Sequence, residues 1–469
     1  MIPKCGKIKL EFGKIVSYSL NLDNQLITKS ENGEITKQNG GFCSIEVVQL
    51  HTGLTPVIYE NGNWVITTED DMNWYDYDEQ KWSNAVILKP GVSNEKGKIL
   101  KVDGKSTDVK AMLVYIPRYE YKIDGKYGKR LDGTEGTAEY PGIIDVNFIP
   151  KEKTVPTEGY IIPPGFKFGD KQLNGIWVGK FKTGVISSSS DSSLPPYVIP
   201  NIPALVQQDV STQFTTAQLF NEYLTNADSH MIKNSEYAAV AYLTDSKYGK
   251  YGNSDYNKKN KQVYSNNATD SYTTYYTGRS AGTYSGSGIT DTNIYPNENT
   301  SNNLVSKYVF YTYDGYLLKY KTNEVDITKE QNLLTVASTT GNIYGIYDMN
   351  GATEHVMGIQ LDKNSYGEYT LYIGTRENAN SGFNGLYAKG GEKTDGIDLP
   401  DSKYYDKIEL YTELGQGLEE ICYRWYPSRG CGFSANEPFI TRIMFYYSSS
   451  PGSDYNYGTR GFRIAITDE

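Results

Sequence analysis

Short runs of alternating apolar and polar residues, punctuated by glycine, asparagine and aspartate, recur along this chain and predict strands. Lys7 to Phe12 and Lys14 to Leu22 are the first, and Glu31-Asn32-Gly33-Glu34 reads as a hairpin turn before Gly40-Gly41 closes the unit. Val57-Ile58-Tyr59 and Trp64-Val65-Ile66-Thr67 flank an Asn61-Gly62 turn, a second hairpin. Trp74-Tyr75-Asp76-Tyr77 and Lys81-Trp82 follow, so this span carries three of the chain's five tryptophans. Tryptophan and tyrosine at strand spacing supply either a carbohydrate platform or the core of a small β unit. Further on, Met112 to Ile123 predicts a buried strand running into an alternating one, with Pro117 at an edge or bulge. Leu173 to Phe181 predicts another, and strands resume at Ser306 to Tyr313 and Tyr316 to Tyr320.

The period changes twice. Thr215 to Asn226 places Leu219, Phe220, Tyr223 and Leu224 on one helical face. A second helix, capped by Asn234 or Ser235, lines up Tyr237, Val240, Ala241 and Leu243. Between these elements lie a Gly/Lys/Asp/Ser-rich stretch from Gly91 to Val109, a Ser-rich loop at 187–193 and a long polar tract at 247–303. The expected organisation is an N-terminal β region (1–46), a Trp/Tyr-rich β module (47–90), a linker (91–111) and a main domain (112–469).

The end of the chain organises the rest. Cys422-Tyr423-Arg424-Trp425-Tyr426-Pro427-Ser428-Arg429-Gly430-Cys431 leads to an aromatic run through Phe445, Tyr446 and Tyr447. A Ser/Gly/Asp/Tyr loop follows, and the chain closes on Gly461-Phe462-Arg463-Ile464-Ala465-Ile466. The alternation puts Phe462, Ile464 and Ile466 on one face of a strand, with Arg463 and Ala465 on the other. A strand so near a terminus must be tied into a sheet to stay ordered.

Composition narrows the function. Formal charge is −10 with no Lys/Arg-dense tract, which argues against nucleic acid as a partner. No apolar run reaches the length of a membrane span, and Met1-Ile2-Pro3-Lys4-Cys5-Gly6 lacks the apolar core of a signal peptide. The 43 tyrosines outnumber the 14 phenylalanines. That bias suits either strand-rich structure or wet, adhesive surfaces. Cys5, Cys43, Cys422 and Cys431 form two local pairs, compatible with disulfides or with free buried thiols. There is no Walker loop, Gly-x-Ser-x-Gly elbow or His-rich metal motif, and the acidic runs Glu69-Asp70-Asp71 and Glu419-Glu420 read as solvated surface.

The order of motifs resembles the formylglycine-generating enzyme (sulfatase-modifying factor) family. The resemblance rests on Ile176 to Phe181, the helix from Asn234, Asp348-Met349 with Glu354, Arg429-Gly430 and the closing Gly461-Phe462-Arg463, and it covers roughly 112–469. It implies an α+β, C-type-lectin-like main domain with long loops. It also implies a possible calcium site at Asn350, Gly351, Ala352 and Glu354, oxygen donors of the kind calcium takes. The family's oxidases hold copper with two cysteines that have four residues between them; here eight residues lie between Cys422 and Cys431.

The expected function is therefore non-enzymatic: a virion-associated fibre, decoration protein or adhesin. It would recognise a host surface glycan or protein through Tyr446, Tyr447, Tyr455, Asn456 and Tyr457, and would join other virion proteins through its N-terminal region as a homo-oligomer. A bacterial cell-surface or pilin-linked adhesin is the alternative. A formylglycine-generating-type copper oxidase is the second.

Overall fold

A computed structural model describes residues 48–102, 106–122, 124–125, 128–136, 142–186, 194–200, 202–206, 208, 210–250, 277–278, 338–349, 354–355, 403 and 461–468, together with the backbone of short strands elsewhere. Sheet dominates, with few helices. At the N-terminus, β1 (Ile15–Leu20), β2 (Leu26–Ser30) and β3 (Ile35–Gln38) form an antiparallel sheet. Lys29 faces Ile35 across the expected Asn32-Gly33 turn. Lys7 to Phe12 and the strands expected at 306–313 and 316–320 lie outside the described residues.

From Leu54 onward the strands of the two larger sheets are β4 (Leu54–Glu60), β5 (Asn63–Ile66), β6 (Asn84–Leu88), β7 (Val109–Pro117), β8 (Gly175–Gly179), β9 (Ala227–Met231), β10 (Glu354–His355), β11 (Thr370–Tyr372), β12 (Ser428–Arg429), β13 (Arg442–Met444), β14 (Gly461–Phe462) and β15 (Ile464–Asp468), and shorter two-stranded pairs such as Tyr119–Lys122 with Asp145–Phe148 lie beside them. The helices are α1 (Val210–Gln218) and α2 (Asn234–Thr244). One sheet runs β9-β15-β8-β7-β6-β4-β5 and is antiparallel throughout. A second runs β11-β13-β12-β10-β14, in which β10 and β14 are the parallel pair.

Local chemistry accounts for the large sheet. The β4–β5 hairpin turns on Asn61 (φ 50°) and Gly62 (φ 82°), the two left-handed residues that a type I′ turn needs. Every residue of the nine-residue β7 is buried, as expected for a strand covered on both faces and apolar almost throughout. Trp64, Trp74 and Trp82 are core side chains: the Trp74 indole N–H donates to the Asn84 carbonyl (2.7 Å), and the Trp82 indole N–H donates to that of Tyr248 (2.8 Å). Trp177 on β8 stacks on Trp74 at 6.4 Å and donates to the Gln49 carbonyl. Burial of each such ring contributes about 3 kcal/mol.

Several expectations need correction. The span 47–90 is not a module of its own, because β4, β5 and β6 continue the sheet that holds β7, β8 and β15. The apolar faces of those strands are covered only by joining that sheet's core. The 91–111 stretch is not a linker, since it folds back along the free edge of β5. There the Ile66 N–H donates to the Lys98 carbonyl, the Gly97 N–H to that of Ile66, and the Leu100 N–H to that of Trp64. The first helix begins at Val210, and Leu219–Tyr223 tightens into a 3-10 turn. The second starts where expected, but its cap is Lys233, whose N–H donates to the Glu236 carboxylate at 2.8 Å. The closing strand is not one alternating ribbon. It breaks at Arg463, with β14 in the small sheet and β15 in the large one, and both faces are buried. Among the described residues no helix is long and apolar enough to cross a membrane.

Candidate functional site

The break at Arg463 is also where the motifs singled out in the sequence meet. Glu354 on β10 pairs in register with Arg429 on one side and with Gly461 on the other. Its carboxylate is buried and faces two cations, the Lys182 ammonium at 3.1 Å and the Arg463 Nε at 3.4 Å. The Arg463 guanidinium spreads its other N–H groups to the Gly179 carbonyl (2.6 Å) and the Tyr347 carbonyl (2.8 Å). The Ile232 N–H donates to its carbonyl, so one residue ties β8, the 338–349 loop, β10 and the β9–α2 junction together. Burial pushes the Lys182 amine down, and the Glu354 charge works against that fall. Asp348 adds a second negative charge near Lys182 and accepts the Gly278 N–H at 2.7 Å. It sits at φ 63°, a left-handed conformation unusual for a residue with a side chain.

Beside this cluster, Lys180 organises the 338–349 loop. Its fully buried ammonium donates to Asn84 Oδ1 (2.8 Å) and to the carbonyls of Ile343 (2.6 Å) and Gly345 (2.8 Å). The rings of Trp64 and Tyr347 lie 5.1 and 5.6 Å from it. Burial drives this amine well below the ordinary lysine range. The loop closes on itself through hydroxyls: a Cβ at Gly345 would stand 2.3 Å from Ser338 Oγ and 2.6 Å from Thr340 Oγ1, so only glycine fits there.

A third charged group joins β9 to α2. His230 is buried with Nδ1 3.2 Å from Asp228 Oδ1 and Nε2 3.2 Å from Glu236 Oε1, and its ring stacks on Phe168 at 4.8 Å. Burial lowers its basicity, yet Glu236 and Asp228 outweigh burial and raise its pKa to about 9. Burial raises Glu236, but His230 and Lys233 hold its pKa below the usual carboxylate range. His51 is held differently. Burial lowers it against the opposing charge of Asp468, whose Oδ1 lies 3.3 Å from its Nδ1.

Of the residues singled out from sequence, the structure brings together Glu354, Arg429 and Gly461 by backbone register and Arg463 by its ion pair with Glu354, with Asp348 close by. Asn350, Gly351, Ala352, all four cysteines, and Tyr446, Tyr447, Tyr455, Asn456 and Tyr457 lie outside the described residues. His355 is described through its backbone alone, in β10. A calcium ion at Glu354 would meet Lys182 and Arg463, so that carboxylate, already matched by protein cations, does not fit the role of calcium ligand. Among the described residues no group of three or more His, Cys, Asp or Glu side chains is placed to hold a metal.

Sequence reasoning missed Lys180, Lys182, Asp228 and Glu236. The signal was available in charged residues placed inside apolar runs, Trp177-Val178-Gly179-Lys180-Phe181-Lys182 and Asp228-Ser229-His230-Met231-Ile232. The candidate Tyr-rich segment runs in sequence from the end of β13 to the start of β14, two strands of the same sheet that point the same way with β12 and β10 between them. Its far end is therefore anchored at Gly461, two residues before Arg463 and the buried cluster. No protein-family model matches this chain, and no curated protein matches it.

Proposed function

We propose that the chain is a non-enzymatic binding or display protein with a C-type-lectin-like main domain, a virion fibre, decoration protein or adhesin. Its ligand is a host surface glycan or protein, taken by Tyr446, Tyr447, Tyr455, Asn456 and Tyr457. The observation that carries the reading is the anchoring of both ends of this segment on one sheet, the later end leading directly into Arg463, the buried cluster and β15. Rigid framework under a Tyr/Ser/Asn-rich connection is the division of labour that recognition surfaces use. The closing strand shared between two sheets supports the lectin-like assignment. The N-terminal region, with β1–β3, is proposed to join other virion proteins, and the particle is proposed to display the chain as a homo-oligomer.

The test uses the full chain. Alanine at Tyr446, Tyr447, Tyr455 and Tyr457 together is expected to weaken attachment to host cells by at least about a hundredfold. The far-UV spectrum and melting temperature should stay unchanged. Undiminished attachment would overturn the reading, as would stoichiometric bound copper with oxygen consumption abolished by Cys422→Ser or Cys431→Ser.

A further inference from the structure

Inside the polar tract at 247–303, two residues belong to the interior. Thr277 is fully buried, its N–H donating to the Ile202 carbonyl (3.0 Å) and its hydroxyl to the Ile199 carbonyl (2.8 Å). The Gly278 N–H donates to Asp348 Oδ2. The Asp348 charge bears on Lys182, and Lys182 pairs with Glu354. Glu354 is in register with Gly461, and a Cβ at Gly461 would stand 3.4 Å from Lys182 Cδ. The tract is therefore stapled near its middle to the buried cluster, at the point where the 446–457 segment returns to the sheet.

A short antiparallel hairpin lies on each side of this staple. Thr269–Ser271 pairs with Thr274–Tyr275, and Thr283–Ser285 pairs with Gly288–Thr290. The first strands of the two hairpins run close beside each other. In sequence, 269–275 and 283–290 are Thr, Ser, Tyr and Gly, with Asp270 as the one charge and Ile289 as the one aliphatic residue. The 446–457 segment has the same balance, with Asp454 as its one charge.

We propose that the two hairpins and the 446–457 segment form one recognition surface for an uncharged glycan, with Asp348 as the positioning residue that holds the hairpins to the shared cluster. The proposal rests on the attachment function above and narrows its ligand. A surface without lysine or arginine offers nothing for phosphate or sulfate groups to pair with. The Trp, Arg and apolar anchors that a protein interface adds to tyrosine are missing apart from Ile289. Neutral sugars present what this composition can use: hydroxyls that donate and accept, matching those of Ser, Thr and Tyr, and C–H faces that cover tyrosine rings.

The experiment measures attachment of the full chain to host cells. Tyr275→Ala combined with Tyr284→Ala should weaken it about tenfold with an unchanged circular dichroism spectrum. Should that variant misfold, Ser285→Glu tests the same hairpin, since it leaves both rings and adds a charge that an uncharged ligand cannot pair. Asp348→Ala should weaken attachment too, and should quicken hydrogen exchange at Gly278. Periodate oxidation of the cells, which cleaves sugar diols, should abolish attachment, whereas protease digestion of the cells or high salt should not. Attachment that survives periodate but is lost to protease or salt would assign the ligand to a protein or a charged polymer and overturn the proposal. Full attachment by the folded hairpin variants would overturn it as well, and the proposed function would still stand if the alanine variants at 446–457 fail to attach. An intact chain that attaches to no host cell would sink both.

Discussion

His230 is held between Asp228 and Glu236, and its charge makes the scaffold's stability depend on pH. Its folded pKa of about 9 lies above the unfolded 6.5, so its contribution is complete below pH 6.5 and is lost as pH rises through 9. Glu236 is depressed below 4.5, so its contribution is complete above that value and is lost as pH falls through the folded pKa. Denaturant unfolding should show greatest stability between these limits and a loss on the order of 3 kcal/mol by pH 10, and His230→Gln should remove the alkaline part of the profile. Glu354→Gln should cost about 3 to 5 kcal/mol, since it leaves Lys182 and Arg463 facing each other in the interior. Adding Lys182→Met should recover part of that loss, a coupling that a double-mutant cycle in urea would measure. Glu354 and Arg463 were legible as motif members. Their role as an ion pair was not, because the partners lie far apart in sequence and side-chain pairing leaves no local periodicity.

Elements read from local pattern fared best where the pattern is short and steric. The Asn61-Gly62 hairpin is such a case, since two adjacent left-handed residues are a signature that any sequence reading can see. The 91–111 stretch misleads because glycine and lysine look like linker composition, whereas its backbone groups complete the edge of β5. The expected helix at 215–226 was half wrong for a related reason: Leu219 is 53% exposed and only Phe220 of the 3-10 turn is buried, so the apolar run is not one covered helical face. The 338–349 loop had no legible fold, because it is shaped by hydrogen bonds among its own Ser338, Thr339, Thr340 and Asn342 and by the distant Lys180 ammonium, none of which leaves a period in the sequence. Lys180→Met should cost about 3 kcal/mol, by leaving the Ile343 and Gly345 carbonyls and the Asn84 amide oxygen without their donor. Hydrogen exchange at Tyr347, whose N–H donates to the Lys180 carbonyl, should quicken ahead of the rest of the chain.

At the scale of the whole molecule, the seven-stranded sheet decides what can be cut. A fragment 112–469 would lack β4, β5 and β6 and would expose the long edge of β7, so it should aggregate, whereas 48–469 should melt in one cooperative transition seen alike by tryptophan fluorescence and circular dichroism. Sequence reading placed the closing strand in a sheet but gave no hint that it lies at an inner position, between β9 and β8. Nor did it suggest that Gln49 and His51 latch onto Asp468 from the far side of the chain. Strand order is a global property, set by which faces can be covered together, and no window of sequence contains it.

That inner position has a kinetic meaning. Until β15 arrives, β8 and β9 face each other across an empty lane, each presenting a bare row of backbone donors and acceptors. The strand that fills the lane pairs with residues hundreds of positions earlier, so ring closure is slow and the half-built sheet persists long enough to recruit the wrong strand. Renaturation yield should therefore fall steeply with protein concentration. A synthetic peptide of the β15 sequence, added in excess, should compete for the lane and trap the rest of the chain in an open, assembly-prone form.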